Sequence, residues 1–278
     1  MKKLASLLLI SAVSALTANT AMAADIIEAP VMHEQPAPVV YEDVGGGWYI
    51  RGDIDYHRAE LRDTIYAVSG GTSRFDTTEL DDSWSLGGGI GYNVSKNLRV
   101  DLTADYWLKS DFRGSTVGTC GFPAVPCTSS DSSTMSALVV LANAYVDLGT
   151  YSGITPYVGA GIGVAHVNWS DLANDDGVAV TVHPGAKSMR GAAALMLGAS
   201  YCLTDKMELD AGYRYTRIGG GDMFGYANFA GPGQDKGFDV HEVRAGVRYS
   251  FGGKGASHRC SGPAPQVVDY QPEPAVYK

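Results

Sequence analysis

The sequence predicts an all-β protein: an eight-stranded antiparallel transmembrane β-barrel with short periplasmic turns and long extracellular loops. Eight segments between residues 46 and 251 alternate apolar and polar side chains with the period of two that is typical of strands. Short and long connections alternate between these segments. Aromatic residues collect at both ends of the apolar face, where a membrane barrel carries its two interfacial belts.

The alternation is clearest in the first segment, GWYIRGDIDY, which begins at residue 47. Trp48, Ile50 and Ile54 share one series, and Arg51 and Asp53 share the other. In a soluble sheet the charged face would contact water and the apolar face a core. In a membrane barrel the apolar series contacts lipid and the charged series faces the lumen. The aromatic belts favour the membrane, because a soluble sandwich offers no reason for them.

Seven further segments repeat the pattern, each with about the 9–11 residues that a tilted strand needs to cross hydrocarbon. They cover residues 84–93, 98–108, 138–148, 154–167, 190–202, 207–216 and 242–251. The segment 138–148 is the least regular, because Val139 and Leu141 fall on its polar series. Residues 94–97, 149–153 and 203–206 form short turns, whereas 62–83, 109–134, 168–188 and 219–237 are long connections of about twenty residues.

Four regions are expected along the chain. Residues 1–23 have the basic start, apolar centre and Ala-Met-Ala end of a secretory signal peptide, cleaved between Ala23 and Ala24. Residues 24–45 are an acidic periplasmic leader, 46–251 the barrel, and 252–278 a Pro-rich periplasmic tail. No later run reaches the ~18 apolar residues of a membrane helix. Export would bring the protein to the outer membrane of a Gram-negative cell.

The polar series of these segments is unusually rich in charge. An eight-stranded barrel is only wide enough for side chains to fill it, so these groups are expected to form interlocked Arg–carboxylate pairs rather than an ion pathway. The predicted lumen network consists of Arg51, Asp53, Asp55, Arg99, Asp101, Asp105, Asp147, Glu208, Asp210, Arg214, Glu242, Arg244 and Arg248.

The aromatic residues of the apolar series predict two membrane girdles. Those placed at the periplasmic rim are Trp48, Tyr92, Tyr201, Tyr249 and Phe251, and those placed at the outer rim are Tyr56, Trp84, Tyr106 and Tyr215.

Four cysteines in an exported chain favour disulfides over metal sites. Cys120 and Cys127 lie in one outer connection, at a spacing that a turn containing proline could close. Cys202 ends one strand at the periplasmic rim and Cys260 follows the last strand, so a second bridge would hold the tail at that rim.

Enzymatic and nucleic-acid functions are disfavoured. His57 with Asp55, and His166 with Asp171, lack a placed serine, and no G-x-S-x-G motif occurs. The acidic segment 170–177 does not fit the ligand spacing of a calcium loop. We therefore expect no enzyme activity, no metal and no cofactor. The formal charge of -9, about -11 after loss of the signal peptide, disfavours nucleic acid as a partner.

Five stretches in order, WYIRGDIDY, NAYVDLG, ITPYVGAGIGVA, GYRY and HEVRAGVRYSF, resemble the small outer-membrane barrel proteins of alphaproteobacteria, the OmpA-like or porin-family group. The resemblance spans residues 46–251 and implies an abundant surface antigen that contacts outer-membrane lipids and lipopolysaccharide. The closing Tyr249-Ser250-Phe251 resembles the signal read by the barrel-assembly machinery. The resemblance implies host-surface contacts as well, and the Pro-rich tail is a candidate for contact with peptidoglycan.

The predicted function is that of a non-enzymatic barrel which supports envelope integrity and surface interaction. Two alternatives are a narrow porin-like channel and an adhesin or haem-binding surface protein. The second would use outer connections that contain Tyr66, Arg74, Phe122, Trp169 and His183. A lipid-modifying enzyme is a third and weaker alternative.

Overall fold

The computed structural model describes residues 47–120, 123, 125–251 and 260. The predicted signal peptide and leader, and the predicted tail apart from Cys260, lie outside these residues. The strands of the described chain are β1 (Gly47–Leu61), β2 (Thr64–Val68), β3 (Gly71–Arg74), β4 (Thr77–Leu80), β5 (Ser83–Asn93), β6 (Leu98–Cys120), β7 (Val125–Asp147), β8 (Ile154–Trp169), β9 (Leu172–Asp175), β10 (Val180–His183), β11 (Lys187–Cys202), β12 (Met207–Phe224) and β13 (Ala230–Ser250). Within those ranges, no helix has the length and apolar character to cross a bilayer.

Eight strands close into a ring. Its order is β1, β5, β6, β7, β8, β11, β12 and β13, and every neighbouring pair is antiparallel. The last strand returns to the first, with Tyr49 opposite Ser250 and Leu61 opposite Phe238. The predicted eight-stranded antiparallel barrel is confirmed. Closure leaves the ring without an open edge, which is how a sheet satisfies its backbone hydrogen bonds inside a bilayer.

Side chains alternate between the two faces of the ring as the sequence predicts. In β1, Ile50 and Ile54 are 45% and 47% exposed, whereas Arg51 and Asp53 are buried inside. The same alternation continues around the ring, so that a band of aliphatic side chains surrounds a charged interior. This arrangement is the reverse of a soluble core and matches a surface that contacts lipid.

The three short turns lie where the sequence predicts them. Residues 94–97, 149–153 and 203–206 connect neighbouring strands at one end of the ring. Gly149 and Gly153 have positive φ angles of 105° and 83°, which a residue with a side chain rarely adopts. Short turns mark the periplasmic end of an outer-membrane barrel, so the opposite end faces the outside.

The long outer connections lie where the sequence predicts them, but most of their residues form strands, which the sequence does not predict. β6 and β7 each have 23 residues and pair as far as Cys120 and Val125. Two features hide this extension from the sequence. A register shift between Trp107 and Ser110 interrupts the alternation. Beyond this register shift, both faces of β6 and β7 are rich in serine and threonine, because the outer face contacts water instead of lipid. The alternation of apolar and polar residues is therefore lost, although the two strands remain paired.

Short strands complete an outer head, which we define as the described residues 58–83, 109–136, 168–189 and 217–241. β2 pairs with β13 and with β3, β4 pairs with β6, and β9 pairs with β7 and with β10. Lys236 reaches Asp63 at 2.9 Å, and this hydrogen bond lowers the pKa of the Asp63 carboxyl. The barrel wall thus continues beyond the membrane as a folded β-structure.

Candidate functional site

All thirteen charged residues of the predicted lumen network are buried inside the ring. Each of the five arginines lies within 4 Å of at least one carboxylate. The pairs cross from strand to strand, so the network connects the wall across the lumen. Because a buried charge without a partner costs several kcal/mol, pairing is the condition under which these residues can occupy the interior.

The lower part of the network, towards the periplasm, is centred on Arg51 and Asp210. Arg51 lies 2.7 Å from Asp53 and 3.2 Å from Asp101, and its Nη2 is 3.8 Å from Asp210. Arg248 donates to Asp210 at 2.7 Å. These contacts join β1, β6, β12 and β13 below the middle of the barrel.

The upper part of the network is centred on Arg214, which has no exposed side-chain surface. Its Nη1 donates to Asp105 at 2.7 Å, and its Nε and Nη2 form a two-pronged contact with Glu242. Arg244 donates to Asp55 at 3.0 Å and approaches Asp53 at 3.3 Å. A single cation therefore holds several carboxylates together in a space that excludes water.

Arg99 is held in a different way. Its Nε donates to Asp147 at 3.1 Å, while the guanidinium lies over the rings of Tyr145 and Tyr157 at 4.1 and 4.5 Å. A planar cation between two aromatic faces gains from cation–π attraction in addition to its ion pair. Gly159 makes room for this arrangement, because a Cβ there would lie 2.5 Å from the Tyr145 ring.

Above the charged network the lumen is closed by an aromatic plug, which we define as Phe75, Phe112, Trp169, Phe224 and Phe238. Phe112 contacts Trp169 edge to face at 5.5 Å, and Trp169 stacks on Phe238 at 6.2 Å. Phe75 enters from the outer head and contacts both Phe112 and Phe224. Buried aromatic rings in such contacts stabilise a packed core, and this core fills the outer half of the interior.

The sequence analysis missed this plug. Its one visible signal was the irregular segment 138–148, where Val139 and Leu141 occupy inward positions and are fully buried. Apolar residues on an expected polar face indicate that the lumen changes character along its length.

The histidines singled out in the sequence do not form a catalytic arrangement. His57 packs on Trp107 with ring centres 4.6 Å apart, and neither of its nitrogens has a hydrogen-bond partner among the described residues. His166 is exposed on the outer face of β8, and Asp171 accepts a hydrogen bond from the backbone of Gly185 instead. The described residues contain no cluster of potential metal ligands either.

The outer head encloses a vestibule above the aromatic plug, a cavity of about 390 Å³. One wall is polar: Asn174 donates to Asp131 at 2.7 Å and to Ser129 at 3.0 Å, and Thr116 lies 2.7 Å from Ser129. The apolar part of the lining consists of Tyr66, Phe75, Leu172 and Phe224. Burial raises the pKa of the Asp131 carboxyl.

His183, one of the predicted loop residues, also lines the vestibule and faces the Gly225 carbonyl through Nδ1 at 3.2 Å. Tyr66 lines it as well, and Trp169 lies below it in the plug. Arg74 lies away from them and approaches Asp63 at 3.5 Å. Phe122 lies outside the described residues.

The predicted girdle residues lie on the outward face, at both ends of the aliphatic band. Trp48 contacts Tyr92 at the periplasmic end, and Tyr56 contacts Trp84 at the outer end, with ring centres 5.3 and 5.1 Å apart. The remaining members are Tyr106, Tyr201, Tyr215, Tyr249 and Phe251, all exposed or half-buried. Rings in these positions suit the two membrane interfaces.

Three of the cysteines are disulfide-bonded in the described structure. Cys202 and Cys260 are bonded, with their Cα atoms 5.4 Å apart, so Cys260 lies at the periplasmic rim. Cys127 is disulfide-bonded as well, while the side chain of Cys120, the partner that the sequence predicts, lies outside the described structure.

The closed ring, its lipid-facing band and its interlocked interior define an integral β-barrel protein of the outer membrane. A family model described as outer membrane protein beta-barrel domain matches residues 6–251, and the chain belongs to this family. The resemblance seen in the sequence is thereby confirmed.

Individual proteins are similar to this chain. An uncharacterized protein of Brucella suis is 36% identical over 275 residues, which cover 84% of this chain and 93% of that protein. A putative adhesin of Rickettsia massiliae is 25% identical over 213 residues, 76% of this chain and 90% of that protein. The crystal structure of OprG from Pseudomonas aeruginosa aligns with a TM-score of 0.47 at 17% identity, over 75% of this chain and 97% of that chain.

Proposed function

We propose that this protein is a non-enzymatic outer-membrane barrel with a closed lumen, which supports the integrity of the cell envelope and presents its outer head for surface interactions. The observation that carries the proposal is the filled interior. Charged pairs fill the lumen up to the level of Arg214, and above them the aromatic plug packs beside the buried Arg190–Asp235 pair. Ion pairs and packed aromatic rings thus follow each other along the barrel axis.

This interior argues against the narrow channel. A hydrated ion that enters from the periplasm would have to separate pairs such as Arg214 and Asp105, both without exposed side-chain surface. It would then meet Phe112 and Trp169, which offer no replacement for its hydration shell. An ion pathway would require the charged network and the aromatic plug to rearrange at the same time.

In planar bilayers, the purified protein is therefore expected to give no steady conductance. A porin of known unit conductance, inserted under the same conditions, serves as the positive control. Reproducible unitary current steps from the full-length chain would contradict the closed lumen.

Surface interaction is supported by the form of the outer head. Val178 and Phe229 are 80% and 78% exposed on it, where neither lipid nor a core covers them. A related chain of Rickettsia massiliae carries the description putative adhesin. Exposed apolar side chains in the turns of the outer head suit contact with another surface.

Deletion of the gene is expected to increase the sensitivity of cells to detergents and to large antibiotics that the outer membrane normally excludes. Wild-type protein and a variant with Val178→Ser and Phe229→Ser should both restore the barrier, because the barrel is unchanged. Only the wild type should restore attachment to host cells. If the deletion strain keeps its barrier, the envelope role fails; if the double variant attaches normally, the surface role of these residues fails.

Contacts with lipopolysaccharide and with the assembly machinery belong to the same proposal. The closing strand ends against the first strand, since the Phe251 amide donates to the Trp48 carbonyl at 2.8 Å. Tyr249 and Phe251 contact each other on the outward face, where an insertion factor could reach them.

A further inference from the structure

Asp131 stands apart from the other buried acids of the described chain. Nine others, Asp53, Asp55, Asp101, Asp105, Asp147, Glu208, Asp210, Asp235 and Glu242, each lie within 4 Å of an arginine. Asp131 is 3% exposed and has no such cation among the described residues. Its Oδ1 accepts from Asn174, while its Oδ2 accepts no hydrogen bond from them.

The position of the Asp131 carboxylate indicates which kind of ligand would provide the missing partner. Asp131 lines the vestibule of about 390 Å³, which has room for a molecule of roughly ten heavy atoms. A buried carboxylate with an open acceptor is costly unless a donor or a cation satisfies it. Burial raises the pKa of its carboxyl, although the Asn174 and Thr116 side chains and the nearby His183 act in the opposite direction.

The apolar part of the lining selects the remainder of the molecule. Tyr66, Phe75, Leu172 and Phe224 present apolar surface and three aromatic rings to the same cavity. Such rings attract an organic cation and cover an apolar body, whereas they offer nothing to a hydrated metal ion. The neighbouring hydroxyls of Thr116 and Ser129 add acceptors near Asp131.

We propose that the vestibule is a binding site for a small amphipathic cation, a primary ammonium that carries an aryl or alkyl group. The ammonium lies against the Asp131 carboxylate, and the apolar group lies against Phe75, Phe224 and Leu172. The aromatic plug forms the floor beneath it, so the site holds its ligand at the cell surface.

The test uses the full-length mature protein in lipid nanodiscs, with 2-phenylethylammonium as the probe. Binding is measured by isothermal titration calorimetry, and the heat from empty nanodiscs is subtracted. The wild type is expected to bind saturably, and the neutral 2-phenylethanol and anionic 3-phenylpropionate to bind at least tenfold more weakly. Asp131→Asn keeps the size of the side chain and should weaken binding of the ammonium about tenfold to a hundredfold.

Asp111→Asn is the matched control, because Asp111 lies on the exposed face of β6 in the same outer head. It should bind as the wild type does. Thr181→Trp, at the mouth of the cavity, should block binding without touching the acid, which keeps the test decisive if Asp131→Asn does not fold. The proposal is overturned by no saturable binding, by equal binding of the alcohol, or by unchanged affinity in either Asp131→Asn or Thr181→Trp.

Discussion

Replacing Arg214 by methionine is expected to lower the free energy of unfolding by about 3–5 kcal/mol, the largest loss from any single side chain in the lumen. Methionine keeps most of the volume and removes the charge. Glu242 would then lose the cation that contacts both of its oxygens, and Asp105 would keep only the approach of Arg244 at 3.6 Å. Equilibrium unfolding in urea from lipid vesicles measures the loss.

Arg217→Met is the matched control on the same strand. The Arg217 side chain is 59% exposed and lies 3.7 Å from Asp239, so its removal should change stability by about 0.5 kcal/mol or less. Adding Asp105→Asn and Glu242→Gln to Arg214→Met should recover most of the loss, because the uncompensated charges are gone. If Arg214→Met costs no more than Arg217→Met, the network does not hold the barrel together.

Introducing arginine at Ile162 is expected to cost about 2–4 kcal/mol and to reduce the yield of inserted protein. Ile162 is 72% exposed in the middle of β8, opposite Ala142 and Ala193, so its side chain points into hydrocarbon. The arginine would have to reach a distant interface or remain in lipid without a partner. Unfolding from vesicles and the fraction with heat-modifiable gel mobility measure the two effects.

Val178→Arg provides the comparison, since Val178 is equally apolar and 80% exposed but lies in the outer head. Water surrounds this position, so stability and insertion should match the wild type. Equal behaviour of the two variants would show that the aliphatic band does not contact lipid.

The sequence predicts the membrane-spanning half of the molecule well, for a physical reason. Lipid on one side and a charged lumen on the other impose opposite demands on successive residues, as Ile54 and Asp55 illustrate. The strand number, the short turns and the inward placement of the network all follow from that constraint. The choice of partners within the network does not follow from it. Which carboxylate contacts Arg214 depends on the relative register of strands that lie far apart in the chain.

The structure of the outer head is not predicted from the sequence, because the two faces of its strands no longer contact environments of different polarity. Residues 127–134, CTSSDSST, alternate between water and the vestibule without a change in polarity. Nothing in that run distinguishes Asp131 from an exposed acid. The plug is equally hidden, since Phe75 and Phe224 come from connections far apart in the sequence and meet only in the folded chain.

If the lumen is closed as we propose, the succession of ion pairs and aromatic rings along the axis is expected to exclude two classes of solute. The rings would exclude salts, and the buried charges would exclude apolar molecules. The number of copies of such a barrel in the outer membrane would then have no effect on the permeability of that membrane.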